Sequence, residues 1–172
     1  MFDIYRANES DSERYALGTE GAKKLFVVGL NPSTATAEKS DTTVSKVRSV
    51  ASNNQFQGFV MLNVYPLRST DPHQLPAEGS KETIAINVSQ ISEIAQHTNN
   101  PVFWAAWGGD IGIRPYLKEA LAELNQAVLE VGGSWVHFGT LTQSGHPRHP
   151  SRLAYAWEFS EFNVSEYLQG VT

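Results

Sequence analysis

Leu25-Phe26-Val27-Val28-Gly29-Leu30, followed at once by Asn31-Pro32-Ser33-Thr34, is the stretch on which the fold turns. The run is continuously apolar rather than alternating, the pattern of a strand covered on both faces in a parallel sheet. Further runs of the same kind follow at Phe59 to Val64, Val102 to Trp107 and Trp135 to Phe138. Between them the apolar residues take helical spacing. Asp41 suits the N-cap of a helix with Val44, Val47 and Ala51 on one face. Ile84, Val88, Ile91 and Ala95 make a second stripe; Leu117, Leu121, Leu124 and Val128 make a third, with Pro115 in its first turn and Gly132-Gly133 as its stop.

Strands alternating with helices predict an α/β fold, a three-layer α/β/α sandwich around a central four-stranded, mostly parallel sheet. An extra edge strand is expected around Arg14 to Leu17. The segment from Tyr155 to Thr172 carries Trp157, Phe159, Phe162 and Tyr167, too aromatic for a free tail, and is expected to pack on the body. With 172 residues and neither repeat nor low-complexity linker, a single domain over residues 1–172 is the expectation.

Composition narrows the function classes. A chain with 41% hydrophobic and 18% charged residues is globular rather than disordered. Its net charge of -5 argues against a broad basic surface for nucleic acid, although a local basic groove stays open. The lack of cysteine removes disulfides, thiolate metal sites, iron–sulfur clusters and a cysteine nucleophile. Met1 to Ser10 has no apolar signal core, and the apolar runs are strand-sized, so a cytoplasmic protein without membrane contact is expected.

The unusual residues fall where ligands bind in open parallel sheets, outside the carboxyl ends of the strands. Gly29-Leu30-Asn31-Pro32-Ser33-Thr34 follows the first strand and Asn63-Val64-Tyr65-Pro66-Leu67-Arg68 the second. Trp107-Gly108-Gly109-Asp110 follows the third, and Gly145-His146-Pro147-Arg148-His149-Pro150-Ser151-Arg152 lies beyond the fourth. Asn-Pro and Gly-His-Pro are turn formers in their own right. A need for turns alone does not place amides, imidazoles and guanidiniums at all four ends, which points to one ligand site.

Other chemistries fit less well. His146 and His149 could join Asp110 or His137 around a metal, but Pro147 and Pro150 oppose the helix that spacing needs, so no metal and no cofactor are expected. There is no Gly-x-Gly-x-x-Gly and no P-loop, and neither Ser33 nor Ser151 sits in a Gly-x-Ser-x-Gly elbow. Arg68 reads equally as a phosphate ligand or as a salt-bridged loop anchor.

Arg14-Tyr15-Ala16-Leu17, Leu30 to Ala35, Asp41-Thr42-Thr43, Asn63 to Pro72, Ala106-Trp107-Gly108 and Gly145 to Pro150 together resemble, in order, the bacterial and phage family of unknown function numbered 1643, from about Arg14 to Tyr155. The motif order is also distantly similar to the uracil-DNA glycosylase superfamily. Gly29-Leu30-Asn31-Pro32-Ser33 resembles its water-positioning motif, and Leu62-Asn63 with Pro66-Leu67 the segment that reads the base edge. Trp107-Gly108 stands where that superfamily often has a similar pair, and His149-Pro150-Ser151 resembles its histidine-proline-serine motif. That resemblance implies a uracil-DNA glycosylase-like fold and an N-glycosidic hydrolase acting, without metal, on a nucleobase in DNA, single-stranded DNA included, or in a nucleoside or nucleotide. Asn31 would hold the attacking water, His149 would donate to the leaving base, and Asn63 would meet the base edge. Pro32, Trp107, Gly108 and His146 would complete the substrate site, with Ser33, Ser151 and Arg152 toward phosphate. No aromatic stacker follows Pro32, and Tyr65 is the candidate substitute. Arg152 stands where that superfamily places proline ahead of an intercalating residue, a departure from its motif. The alternative is a module that binds a nucleotide or modified base without turnover.

Overall fold

The computed structural model describes residues 1–171. In chain order it contains β1 (Ile4–Ala7), β2 (Arg14–Thr19), β3 (Lys24–Gly29), α1 (Thr42–Asn53), β4 (Gly58–Asn63), α2 (Lys81–Ala95), β5 (Val102–Ala105), α3 (Pro115–Glu130), β6 (Ser134–Phe138), β7 (Phe159–Glu161) and α4 (Val164–Gly170). All strands join one sheet in the order β1-β2-β4-β3-β5-β6-β7. β4, β3, β5 and β6 run parallel. β1, β2 and β7 are antiparallel to their neighbours.

The expected four-stranded sheet is therefore corrected to a seven-stranded mixed one. β1 and β7 are only 4 and 3 residues long, the first mostly half-buried and the second mostly exposed, so neither leaves an apolar run in the sequence. β2, expected at the edge, lies between β1 and β4, which explains why Arg14 to Leu17 are all buried. The other strands and the three long helices form where the apolar patterning puts them.

Residues alternate between two cores on opposite faces of the sheet. Phe26 and Val28 pack with Ile84, Ile91, Leu117 and Leu121 from α2 and α3, whereas Leu25 and Val27 pack with Val44, Val47 and Val50 from α1. The C-terminal segment closes both cores: Phe162 and Tyr167 join the first, Trp157 and Phe159 the second. Thr172, the end of the segment expected to pack back, lies outside the described residues. No helix among the described residues is long and apolar enough to cross a membrane.

Local chemistry fixes the helix ends. Asp41 accepts the Val44 N–H at 2.9 Å and caps α1, and Pro115 opens α3. Gly132, at φ +73°, ends α3 with its N–H on the Leu129 carbonyl, a left-handed stop that a side chain would oppose. From β3 the chain crosses to β4 over one face by way of α1, then returns past β3 to β5 over the other by way of α2. The carboxyl ends of β3 and β5 therefore flank a topological switch point, where open sheets leave a crevice.

Candidate functional site

A cavity of about 510 Å³ opens at that switch point, within the usual size range of small-molecule sites. Asn31, Pro32, Ser33, Asn63, Trp107, Gly108, His149, Ser151 and Arg152 all line it, so most of the residues singled out in the sequence share one wall. The strand ends are zipped together beneath it: Val64 N–H donates to the Gly29 carbonyl at 2.9 Å, and Ala106 N–H to the Val28 carbonyl at 2.9 Å. Buried Asn87 of α2 reaches across to the Asn63 carbonyl at 2.9 Å, satisfying the end of β4.

Asn31 has two duties. Its amide nitrogen donates to the Ser69 carbonyl at 2.9 Å while Ser69 N–H donates to the Pro32 carbonyl at 2.9 Å, which clamps the loop after β3 to the loop after β4. Only the amide oxygen of Asn31 is left for a ligand or water. Asn63 is 2% exposed, and its amide nitrogen has no hydrogen-bond partner among the described residues. Gly29 makes the room for it, because a Cβ at position 29 would stand 2.9 Å from Asn63 Oδ1.

His149 caps a short 3-10 turn, Pro150–Arg152, and its Nδ1 accepts the Ser151 N–H at 3.1 Å. An Nδ1 that accepts places the ring proton on Nε2, so the neutral imidazole is a donor. Burial pulls His149 below the ordinary imidazole value and outweighs the opposite pull of Asp41 and Asp110. Gly108, at φ +73°, packs against the base of this side chain: a Cβ there would meet His149 Cβ at 3.4 Å. Lys46 of α1 donates to the Ser151 carbonyl at 2.7 Å and ties the histidine turn to the first helix.

Three sequence-derived residues lie elsewhere. Tyr65 is a core residue rather than a stacker: it is 3% exposed, packs on Tyr116 with ring centroids 5.0 Å apart, and accepts the Ser80 N–H. Arg68 takes the anchor role and does not line the cavity. It donates to the Ser33 carbonyl at 2.7 Å and the Ala35 carbonyl at 2.9 Å, and it pairs with Asp11 at 3.1 Å. His146 turns away from the cavity to Tyr167, whose hydroxyl is 2.8 Å from Nδ1 and accepts the Trp107 indole N–H at 3.1 Å. It lines a second cavity of about 500 Å³ against α4. No group of three or more His, Asp or Glu suited to a metal occurs among the described residues; His149 lines the main cavity and His146 the second one.

Arg14 and Asp41 also line the main cavity, and neither was a site candidate on sequence grounds. A lone guanidinium in the apolar strand Arg14-Tyr15-Ala16-Leu17 was the available signal, since core strands do not bury unpaired charge without a reason. Asp41 was legible as a helix cap and as part of the Asp41-Thr42-Thr43 family motif, with no role at a site attached.

The model of the family described as "Protein of unknown function (DUF1643)" matches residues 14–151, from Arg14 on β2 to Ser151 beside His149. The chain belongs to this family. The DUF1643 match thus spans every cavity-lining residue named above except Arg152. No curated protein and no solved structure matches the chain.

Proposed function

We propose that the cavity hydrolyses the N-glycosidic bond of a nucleobase-containing substrate, using His149 as a neutral hydrogen-bond donor. The observation that carries this reading is the hydrogen bond from Ser151 N–H to His149 Nδ1, which leaves Nε2–H as the donor in a cavity shared with Asn31 and Asn63. As the C1′–N bond breaks, its electron pair passes to the base. A fixed N–H donor beside the growing negative charge lowers the barrier without first losing a proton. The sugar becomes oxocarbenium-like and is favoured by the carboxylate of Asp41 on the same cavity wall. A water whose hydrogen points at Asn31 Oδ1 attacks C1′, and its released proton ends on the departing base. Asn63 Nδ2, buried without a partner, meets an acceptor on the base edge.

The test is release of free base from uracil-, mismatch- and hypermodified-base-containing oligonucleotides and from nucleosides and nucleotides, followed by chromatography. Loss of one such donor is expected to slow turnover by about 10²-fold or more. No free base from any of these substrates, with wild type indistinguishable from an Asn31→Ala/His149→Ala variant, would refute the proposal. A second reading, a module that binds a nucleotide or modified base without turnover, draws on the Asn31 amide nitrogen being engaged by loop carbonyls. It predicts ligand-dependent thermal stabilisation with no product.

A further inference from the structure

Arg14 is 2% exposed, yet it borders the main cavity. Its Nη1 donates to the Ala35 carbonyl at 2.9 Å, and its Nε is buried without a hydrogen-bond partner among the described residues. Arg68 donates to that same Ala35 carbonyl, so two guanidiniums crowd one oxygen. Only one of them is neutralised: Arg68 pairs with Asp11, whereas Arg14 forms no ion pair among the described residues. Asp41 lines the same cavity, but its carboxylate accepts the Val44 N–H and makes no ion pair with Arg14. Burial and the neighbouring Arg68 pull Arg14 down to about 10, still fully charged at neutral pH. A buried, unpaired cation is costly unless something anionic meets it.

Other lining residues offer an anion donors, although the Asp41 and Asp110 carboxylates line the same cavity. Ser33 and Thr43 bring hydroxyls, and Thr43 stands in the first turn of α1, where backbone N–H groups lack helical partners. We infer that Arg14, Ser33 and the first turn of α1 form an oxyanion subsite, and that the ligand of this cavity is a mononucleotide whose terminal phosphate sits there. This rests on the nucleobase reading above and names its substrate class. A terminal phosphate fits better than a strand of nucleic acid, because a chain of net charge -5 lacks a broad cationic surface for a backbone.

The experiment measures binding of inorganic phosphate, nucleoside 5′-monophosphates and the uncharged nucleosides by calorimetry, to wild type, Arg14→Gln and Asp41→Asn. The monophosphate is expected to bind at least about tenfold tighter than its nucleoside, with phosphate competing, because a charge-assisted fork is stronger than a neutral hydrogen bond. Arg14→Gln removes that preference. Asp41→Asn keeps the helix cap, since asparagine caps as well as aspartate, and raises phosphate affinity by removing a competing charge. Equal binding of nucleoside and monophosphate to wild type overturns the inference. If Arg14→Gln fails to fold, unchanged phosphate affinity in Asp41→Asn overturns it instead. Arg14-dependent monophosphate binding without base release upholds the subsite and removes the hydrolase; base release indifferent to the phosphate does the reverse.

Discussion

Gly29→Ala probes how the cavity floor is built. The new methyl would stand 2.9 Å from Asn63 Oδ1, with the next neighbour, the Leu62 carbonyl oxygen, at an ordinary 3.9 Å. Relief therefore requires the Asn63 amide to swing by about half an ångström, and overpacking of this kind costs about 1–3 kcal/mol. The clash involves a single side-chain atom and position 29 is not among the glycines of positive φ, which places the cost near the low end. About 1 kcal/mol corresponds to a fall in Tm of about 2–4 °C for a chain of this size. Function should suffer far more, because a displacement of this order in a positioning group can reduce turnover by about 10²-fold. The assay is a double-mutant cycle with Asn63→Ala, read by calorimetric Tm and by nucleotide affinity and base release. If Gly29 acts through Asn63, the double variant is no worse than Asn63→Ala alone. Additive losses, or a Gly29→Ala protein with wild-type binding and turnover, would refute the reasoning.

Arg68→Met removes the anchor of the Ser33–Ala35 loop, leaving the Ser33 carbonyl without its side-chain donor and the Ala35 carbonyl to Arg14 alone; it should cost about 2 kcal/mol in urea unfolding and weaken ligand binding through loop disorder rather than lost contact. Tyr167→Phe strands the buried Trp107 N–H and the His146 ring, so it should destabilise by about 1–3 kcal/mol while nucleotide affinity at the main cavity holds, as calorimetry can check. His149 has its imidazole value lowered on folding, so the unfolded chain takes up the proton first as pH falls. Its contribution to stability is therefore complete above pH 6.5 and lost as pH drops through its lower folded value. His137, lowered by burial as well, gives a slope of the same sign, so His149→Gln should flatten the acid limb of stability only in part. Wild-type and variant denaturation curves across that range would show it.

The parallel core was legible because β3, β4 and β5 are buried on both faces and leave continuous apolar runs, and β6, half-buried at Val136 and His137, still carries Trp135, Val136 and Phe138. β1 and β7 pair through backbone bonds over three or four residues, few of them buried, and hydrogen-bond pairing of that kind carries no hydrophobic period. The rim of the site was legible for the same reason as the core: once the strands are parallel, their carboxyl ends must meet, and Asn31, Asn63, Trp107 and His149 sit at those ends or in the loops beyond them. The direction of each side chain was not. His146 and His149 are three residues apart in a loop with prolines between and after them, and only the fold decides that one faces the cavity and the other Tyr167. Tyr65 follows Asn63 by two residues yet turns into the helical layer against Tyr116. Arg14 was hidden because its partner in space is a cavity rather than a residue near it in sequence.

Long-range proton–nitrogen NMR of the His149 ring at neutral pH, free and with saturating nucleotide, tests the proposed donor most directly. The geometry predicts a bare Nδ1 and a protonated Nε2 whose resonance moves when the ligand binds. An Nδ1-protonated or doubly protonated ring, or an Nε2 signal indifferent to bound nucleotide, would contradict it.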